Sequence, residues 1–125
     1  METQATILVV DDSPENLQVI SAVLKEHYKV KVAINGERAL ALATAAEPPD
    51  LILLDVMMPG MDGYEVCSRL KAHPATARIP VLFVSSRDEE EDEARGLSMG
   101  AIDYIVKPIR PSIVQARVRN HIELK

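Results

Sequence analysis

Five polar residues stand directly behind apolar stretches of strand length: Asp11 and Asp12 after residues 7–10, Asp55 after 51–54, Ser85 after 81–84 and Lys107 after 102–106. Each has a plain structural role when taken singly, because an Asp or Ser after a strand caps a helix or tightens a turn and a Lys is commonly solvated. Together they describe something else. Three carboxylates brought to one rim repel one another and raise each other's pKa unless a cation sits among them. All the candidate ligands are oxygens, so a hard ion such as Mg²⁺ fits, with Mn²⁺ as a substitute, and Zn²⁺ does not. His27, His73 and His121 are too scattered to form a metal cluster. Mg²⁺ held by a few carboxylates and waters leaves positions open for phosphate oxygens, a Lys adds a second positive charge, and a Ser hydroxyl donates to a third oxygen. That is the equipment of phosphoryl transfer. A carboxylate in such a site is already deprotonated and can itself be the nucleophile, forming an acyl phosphate without a general base. Asp55 is the central candidate.

The rim exists only if the apolar runs lie side by side. Short runs recur at 7–10, 30–34, 51–54, 81–84 and 102–106, with helix-length segments between them. Ser13-Pro14 supplies an N-cap and a first-turn proline, and Leu17, Ile20, Ser21 and Leu24 follow at helical spacing. Asn35-Gly36 opens a helix over 37–46, stopped by Pro48-Pro49. The segment 59–63 reads as a loop, 64–71 as a helix closed by His73-Pro74, and Gly100 suits the end of a fourth helix. Val114, Val118 and Ile122 recur every four residues in a final helix that begins near Pro108 and Pro111. Strict alternation of strand and helix predicts an α/β fold with a parallel sheet covered on both faces, which explains why the first, third and fourth runs are apolar throughout. Such a sheet places its site at the carboxyl ends of the strands, where the winding reverses.

The composition agrees with one domain, residues 1–125. The chain carries 14 Lys plus Arg against 19 Asp plus Glu, and 47% hydrophobic with 3% aromatic residues, so aliphatic side chains must fill the core. Disorder is excluded on this balance. The longest uninterrupted apolar run, 39–43, is far short of the roughly 18 residues that a spanning helix needs, so no membrane role is expected. The acidic balance and the lack of a Lys/Arg block argue against direct nucleic acid binding. The single Cys67 forms no internal disulfide and reads as a packing residue, and a cytoplasmic location fits best.

The stretches Ile7-Leu8-Val9-Val10-Asp11-Asp12, Leu53-Leu54-Asp55-Val56-Met57-Met58-Pro59-Gly60-Met61-Asp62-Gly63, Val84-Ser85-Ser86 and Tyr104-Ile105-Val106-Lys107-Pro108, in this order, resemble the receiver domain of two-component response regulators across essentially the whole chain. The resemblance implies a flavodoxin-like doubly wound fold with strand order 2-1-3-4-5. It implies that Asp55 accepts a phosphoryl group from a histidine kinase or a histidine phosphotransfer protein. Asp12 then corresponds to the direct Mg²⁺ ligand, Asp11 to one acting mostly through water, and Met57 to the residue whose backbone carbonyl completes the protein's share of the metal shell. Ser85 corresponds to the hydroxyl that moves to the phosphoryl group, Lys107 to the amine that pairs with it, and Lys107-Pro108 to a commonly cis peptide. Tyr104 corresponds to the aromatic switch that couples the site to the surface of the fourth helix, fifth strand and fifth helix, its plain alternative being a half-buried strand residue. Ser85 stands where Thr is commoner in the family, which removes a methyl and some rotamer restriction. Met57 and Arg87 occupy the positions that tune dephosphorylation, and neither suits orienting an attacking water, so a long-lived phosphoryl group is expected.

Three readings from different classes meet these residues. The first is a phosphorylatable switch, not an enzyme acting on outside substrates. The second is an aspartyl-phosphate phosphatase or phosphotransferase, but such enzymes place a second acid two residues after the nucleophile, where Met57 stands. The third is a non-phosphorylated association module, expected to have lost part of a set that is complete here. The acids at 88–93 are a partner surface or, more plainly, first-turn acids favoured by a helix dipole. By family analogy alone, the stretch 57–70 and the last helix are similar to receivers that precede cyclic-di-GMP synthesising or degrading domains and to some attached to histidine kinases. The expectation is an N-terminal part of a longer chain, with a covalent output domain and a homodimer through the fourth helix, fifth strand and fifth helix.

Overall fold

A computed structural model describes residues 4–85 and 90–123, with 90–93 as backbone. The chain runs β1 (Thr6–Val10), α1 (Pro14–Leu24), β2 (Lys29–Ala33), α2 (Gly36–Ala43), β3 (Leu51–Asp55), α3 (Gly63–Ala72), β4 (Val81–Ser85), α4 (Glu90–Ser98), β5 (Asp103–Val106) and α5 (Pro111–Glu123). All pairings are parallel, in the order β2-β1-β3-β4-β5. The flavodoxin-like (βα)5 sandwich is therefore present, and the order reverses between β1 and its two neighbours.

Two cores fill the two sides of the sheet. Ile7, Val9, Leu53, Leu82 and Val84 pack with Leu17, Ile20 and Leu24 of α1 and Val114 and Val118 of α5. Leu8, Val10, Ile52, Leu54 and Phe83 point the other way, against Ala39 and Ala43 of α2 and Tyr64, Val66, Cys67 and Leu70 of α3. The strict alternation of faces along each strand is the period-two geometry of the pleat. Each fully buried Leu or Val removes enough apolar surface to contribute about 1.5–3 kcal/mol. Central strands are apolar throughout because both of their faces are covered, while the edge strand β2 carries Lys29 and Lys31, which discourage further strand pairing.

Helix starts follow the capping chemistry of the sequence. The side chains of Ser13, Asn35 and Asp62 accept the N–H groups of Asn16, Arg38 and Glu65 at 3.4, 2.8 and 2.9 Å, each worth about 1 kcal/mol. The ends are less obedient. Helix α2 stops at Ala43, not at residue 46, because the Thr44 hydroxyl donates to the carbonyls of Leu40 and Ala41 and the Ala45 N–H reaches back only to Leu42. Ile34 lies beyond β2, 57% exposed, because Ala33 is the last residue to pair with β1. Among the described residues no helix is long and apolar enough to cross a membrane.

Candidate functional site

The strands deliver their last residues to one rim. Asp11 is buried just past β1, where its backbone N–H donates to the Ala33 carbonyl at 3.1 Å. Its Oδ1 accepts the Ser13 N–H at 2.9 Å and its Oδ2 accepts the Asn16 side-chain amide at 3.2 Å. Asp55 closes β3 and is only 2% exposed, whereas Asp12 is exposed. One oxygen from each of Asp11, Asp12 and Asp55 lies within 4.8 Å of the others. Lys107 reaches in from beyond β5, its Nζ 3.1 Å from Asp55 Oδ1 and 3.4 Å from Asp11 Oδ2. Its backbone N–H donates to the Ser85 carbonyl at 2.7 Å, which brings the fully buried Ser85 and Lys107 to one point. Ser85 is one residue past Val84, the strand partner of Asp55. The Lys107–Pro108 peptide is cis.

Three carboxylates facing one ammonium leave an excess of negative charge. The Asp55 carboxyl is pushed up from 3.8 to about 6, by burial first and by Asp11 next, against the pull of Lys107, with Asp12 adding a little. Mutual repulsion was the expected cause. Desolvation leads because Asp55, at the end of β3, is only 2% exposed. Lys107 is held above its ordinary value because Asp55 and Asp11 outweigh a burial penalty that acts in the opposite direction. One lysine does not balance the site. An all-oxygen set with unbalanced negative charge fits a hard divalent cation.

Two supporting residues escape a reading of the rim alone. Asn16 sits five residues after Asp11, and its position in the first turn of a Ser13-capped helix was the available signal that it faces back to the strand end. Gly63 opens α3 directly under the acceptor. A Cβ there would collide with the Asp55 carbonyl oxygen and come within 2.8 Å of the Val56 Cα, while the Gly63 N–H donates to the Val56 carbonyl at 2.9 Å. A glycine in a helix's first turn, where other residues propagate better, was its signal.

The remaining expected residues are dispersed around this centre. Met57 lies two residues beyond Asp55 with its side chain 54% exposed, so any contribution to the metal shell comes from its backbone. Tyr104 is only 5% exposed and packs beside Phe83, which is more buried than the half-buried strand residue considered from sequence. Arg87 lies outside the described residues, as do Ser86 and the first two acids of the run beginning at Asp88.

Residues 7–119 match the family model of the response regulator receiver domain. The chain belongs to that family. Like its other members, this receiver domain is a phosphorylation-dependent signalling switch of two-component systems, a family that binds Mg²⁺ at acidic residues, pairs with histidine kinases and often carries output domains. It is 43% identical over 98% of its length to a probable cyclic di-GMP phosphodiesterase of Vibrio cholerae, and 48% identical over 97% of its length to the response regulator PleD of Caulobacter vibrioides. The chain spans 28% and 27% of those two relatives. The solved structure of the Vibrio cholerae chemotaxis protein CheY4 superposes with a TM-score of 0.88 at 31% identity, over 94% of this receiver domain and 98% of that chain.

Proposed function

We propose that Asp55 of this receiver domain accepts a phosphoryl group from the phosphohistidine of a kinase or phosphotransfer protein. The observation that carries the reading is the convergence of Asp11, Asp12, Asp55 and Lys107 at the carboxyl rim, with Asp55 central and buried. A carboxylate oxygen of Asp55 attacks phosphorus, the P–N bond to the donor imidazole breaks, and the imidazole keeps the bonding pair and takes a proton from solvent. Asp11, Asp12, Asp55 and the Met57 carbonyl would hold Mg²⁺, which supplies positive charge to offset that on the phosphoryl oxygens. Lys107 exchanges its bond to Asp55 for one to a phosphoryl oxygen, and the Ser85 hydroxyl donates to another. Asn16 keeps the Asp11 carboxylate oriented throughout.

The Ser85 movement is relayed through Tyr104 to the α4, β5 and α5 surface, where it controls a covalent output domain or a second copy of the domain. The domain performs no chemistry on an outside substrate. The match to about one quarter of the two longer relatives supports a place in a multidomain chain, and the probable cyclic di-GMP phosphodiesterase among them favours cyclic di-GMP turnover as the output. Neither Met57 nor Arg87 carries a side chain suited to orienting an attacking water, so a long-lived acyl phosphate is the expected result. The test is intact mass after incubation with Mg²⁺ and acetyl phosphate. One added phosphoryl group that disappears in Asp55→Asn and without metal supports the reading. A failure with both acetyl phosphate and a phosphohistidine donor overturns it.

A further inference from the structure

The Asp11 carboxylate is engaged on both oxygens by the chain itself. Oδ1 accepts the Ser13 backbone N–H at 2.9 Å, and Oδ2 accepts the Asn16 side-chain amide at 3.2 Å with Lys107 Nζ 3.4 Å away. The NH₂ end of Asn16 must be the one that faces Asp11, because an amide oxygen has no proton to donate to a carboxylate. Asp12, the next residue, is exposed and accepts no hydrogen bond among the described residues. Two neighbouring acids therefore meet a cation on different terms.

The first turn of α1 makes this difference. Asn16 is the third residue of the helix, and its backbone N–H donates to the Ser13 cap at 3.4 Å. At that position a Glu or Gln side chain commonly reaches back to the N–H of the capping residue. Here Asp11 already accepts that N–H, and the shorter Asn16 amide reaches the same carboxylate. Asn16 is half-buried and its neighbour Leu17 packs in the core, so the turn that carries the amide is anchored. Two donors on different oxygens fix the plane of the Asp11 carboxylate. Without Asn16 it turns about its Cβ–Cγ bond with Ser13 as its only uncharged donor.

We propose that Asn16 is a positioning residue for the choice of metal: it keeps the Asp11 carboxylate from turning into direct coordination, so that Asp11 holds the ion through water and the site prefers Mg²⁺ to Ca²⁺. The inference rests on the reading of Asp11, Asp12 and Asp55 as a cation site and goes beyond it. Mg²⁺ gives up its waters reluctantly and demands near-ideal octahedral geometry, so a carboxylate that reaches it through a water suits it well. Ca²⁺ takes about six to eight oxygens in flexible geometry and gains from every carboxylate that binds it directly. A fixed Asp11 withholds that gain from Ca²⁺ and takes little from Mg²⁺.

The experiment measures the affinity of the wild type, Asn16→Leu and Asn16→Ala for Mg²⁺ and for Ca²⁺ by calorimetry. Leu keeps the bulk of Asn, and Ala is a better helix former that adds no crowding. Loss of the amide is expected to shift the ratio of affinities toward Ca²⁺ by about three- to ten-fold, the range that one hydrogen bond carries. Mn²⁺ supplies a second readout, because it is paramagnetic and the relaxation of water protons counts the waters on the bound ion. Each variant is expected to leave one water fewer on Mn²⁺ than the wild type does. A residue that only supports α1 would lower the urea midpoint, weaken both ions equally and leave the water count unchanged. A ratio that stays constant or moves toward Mg²⁺, or a water count that does not fall, overturns the role of Asn16 alone. A wild-type domain that binds neither ion overturns the cation site and the inference with it.

Discussion

Replacing Asp55 by Asn stabilises the metal-free domain, and it does so only above a defined pH. Burial and the neighbouring Asp11 raise the carboxyl from 3.8 to about 6, so the folded state keeps a proton that the unfolded chain has already lost in that interval. Unfolding stability of the wild type therefore falls as pH rises from about 4 to 6, and the loss is complete above the folded value. The raised value corresponds to about 3 kcal/mol between the ionised and neutral forms, or on the order of 10 °C in melting temperature for a domain of this size. Asn resembles the protonated acid and escapes the loss. The assay is urea or thermal unfolding of both proteins in a chelating buffer from pH 4 to 8. The gap between them is expected to be small at pH 4, to open through pH 6 and to be constant at pH 8. Mg²⁺ closes the gap at pH 8 by stabilising only the ionised carboxylate well. A gap that is absent, or that shrinks as pH rises, refutes the electrostatic account of the site.

Three further outcomes follow from single contacts. Gly63→Ala forces the amino end of α3 away from the Asp55 carbonyl and Val56, so a loss of several kcal/mol should appear in urea unfolding, together with slower phosphoryl uptake from acetyl phosphate. Ser21 has a buried hydroxyl without a hydrogen-bond partner on α1, so Ser21→Ala raises stability by about 1 kcal/mol, read from the urea midpoint. Asp103 receives both Arg117 Nη1 at 3.0 Å and His121 Nε2 at 2.9 Å, which joins β5 to α5. Burial raises its pKa, but the bonds from His121, the Tyr104 N–H and Arg117 outweigh that and hold it below the ordinary value. Its stabilisation is present above the unfolded pKa and lost as pH falls through the lower folded one, so Asp103→Ala costs about 1 kcal/mol at pH 7 and progressively less as pH falls below the ordinary carboxylate range, by the same unfolding measurement.

The strands and their rim were legible because both faces of β1, β3 and β4 must be apolar, and because the break in each run has to be polar where it meets solvent. The starts of α1 and α2 were legible for a related reason: Ser13 and Asn35 can satisfy amide groups at the helix ends, whereas the Asp62 cap, which starts α3 one residue before the expected Tyr64, was not read from the loop 59–63. The end of α2 was not, because Ala45 and Ala46 are good helix formers and the deciding event is a Thr44 hydroxyl choosing backbone carbonyls. The acids of the site could be named from their positions, but the leading cause of the Asp55 shift could not. Burial is set by tertiary packing, and no local pattern reports it. The stacking of Arg95 on the Tyr64 ring was hidden for the same reason, since it joins residues 31 positions apart through the third dimension.

The central claim concerns which atom carries the phosphoryl group. The domain is incubated with Mg²⁺ and a phosphohistidine donor, reduced with borohydride, digested and sequenced by mass spectrometry. An acyl phosphate on Asp55 is reduced to an alcohol, so homoserine at position 55 is the predicted product, absent when metal is withheld. A label on any other residue, or a phosphorylated chain that survives reduction with its phosphate intact, contradicts the account.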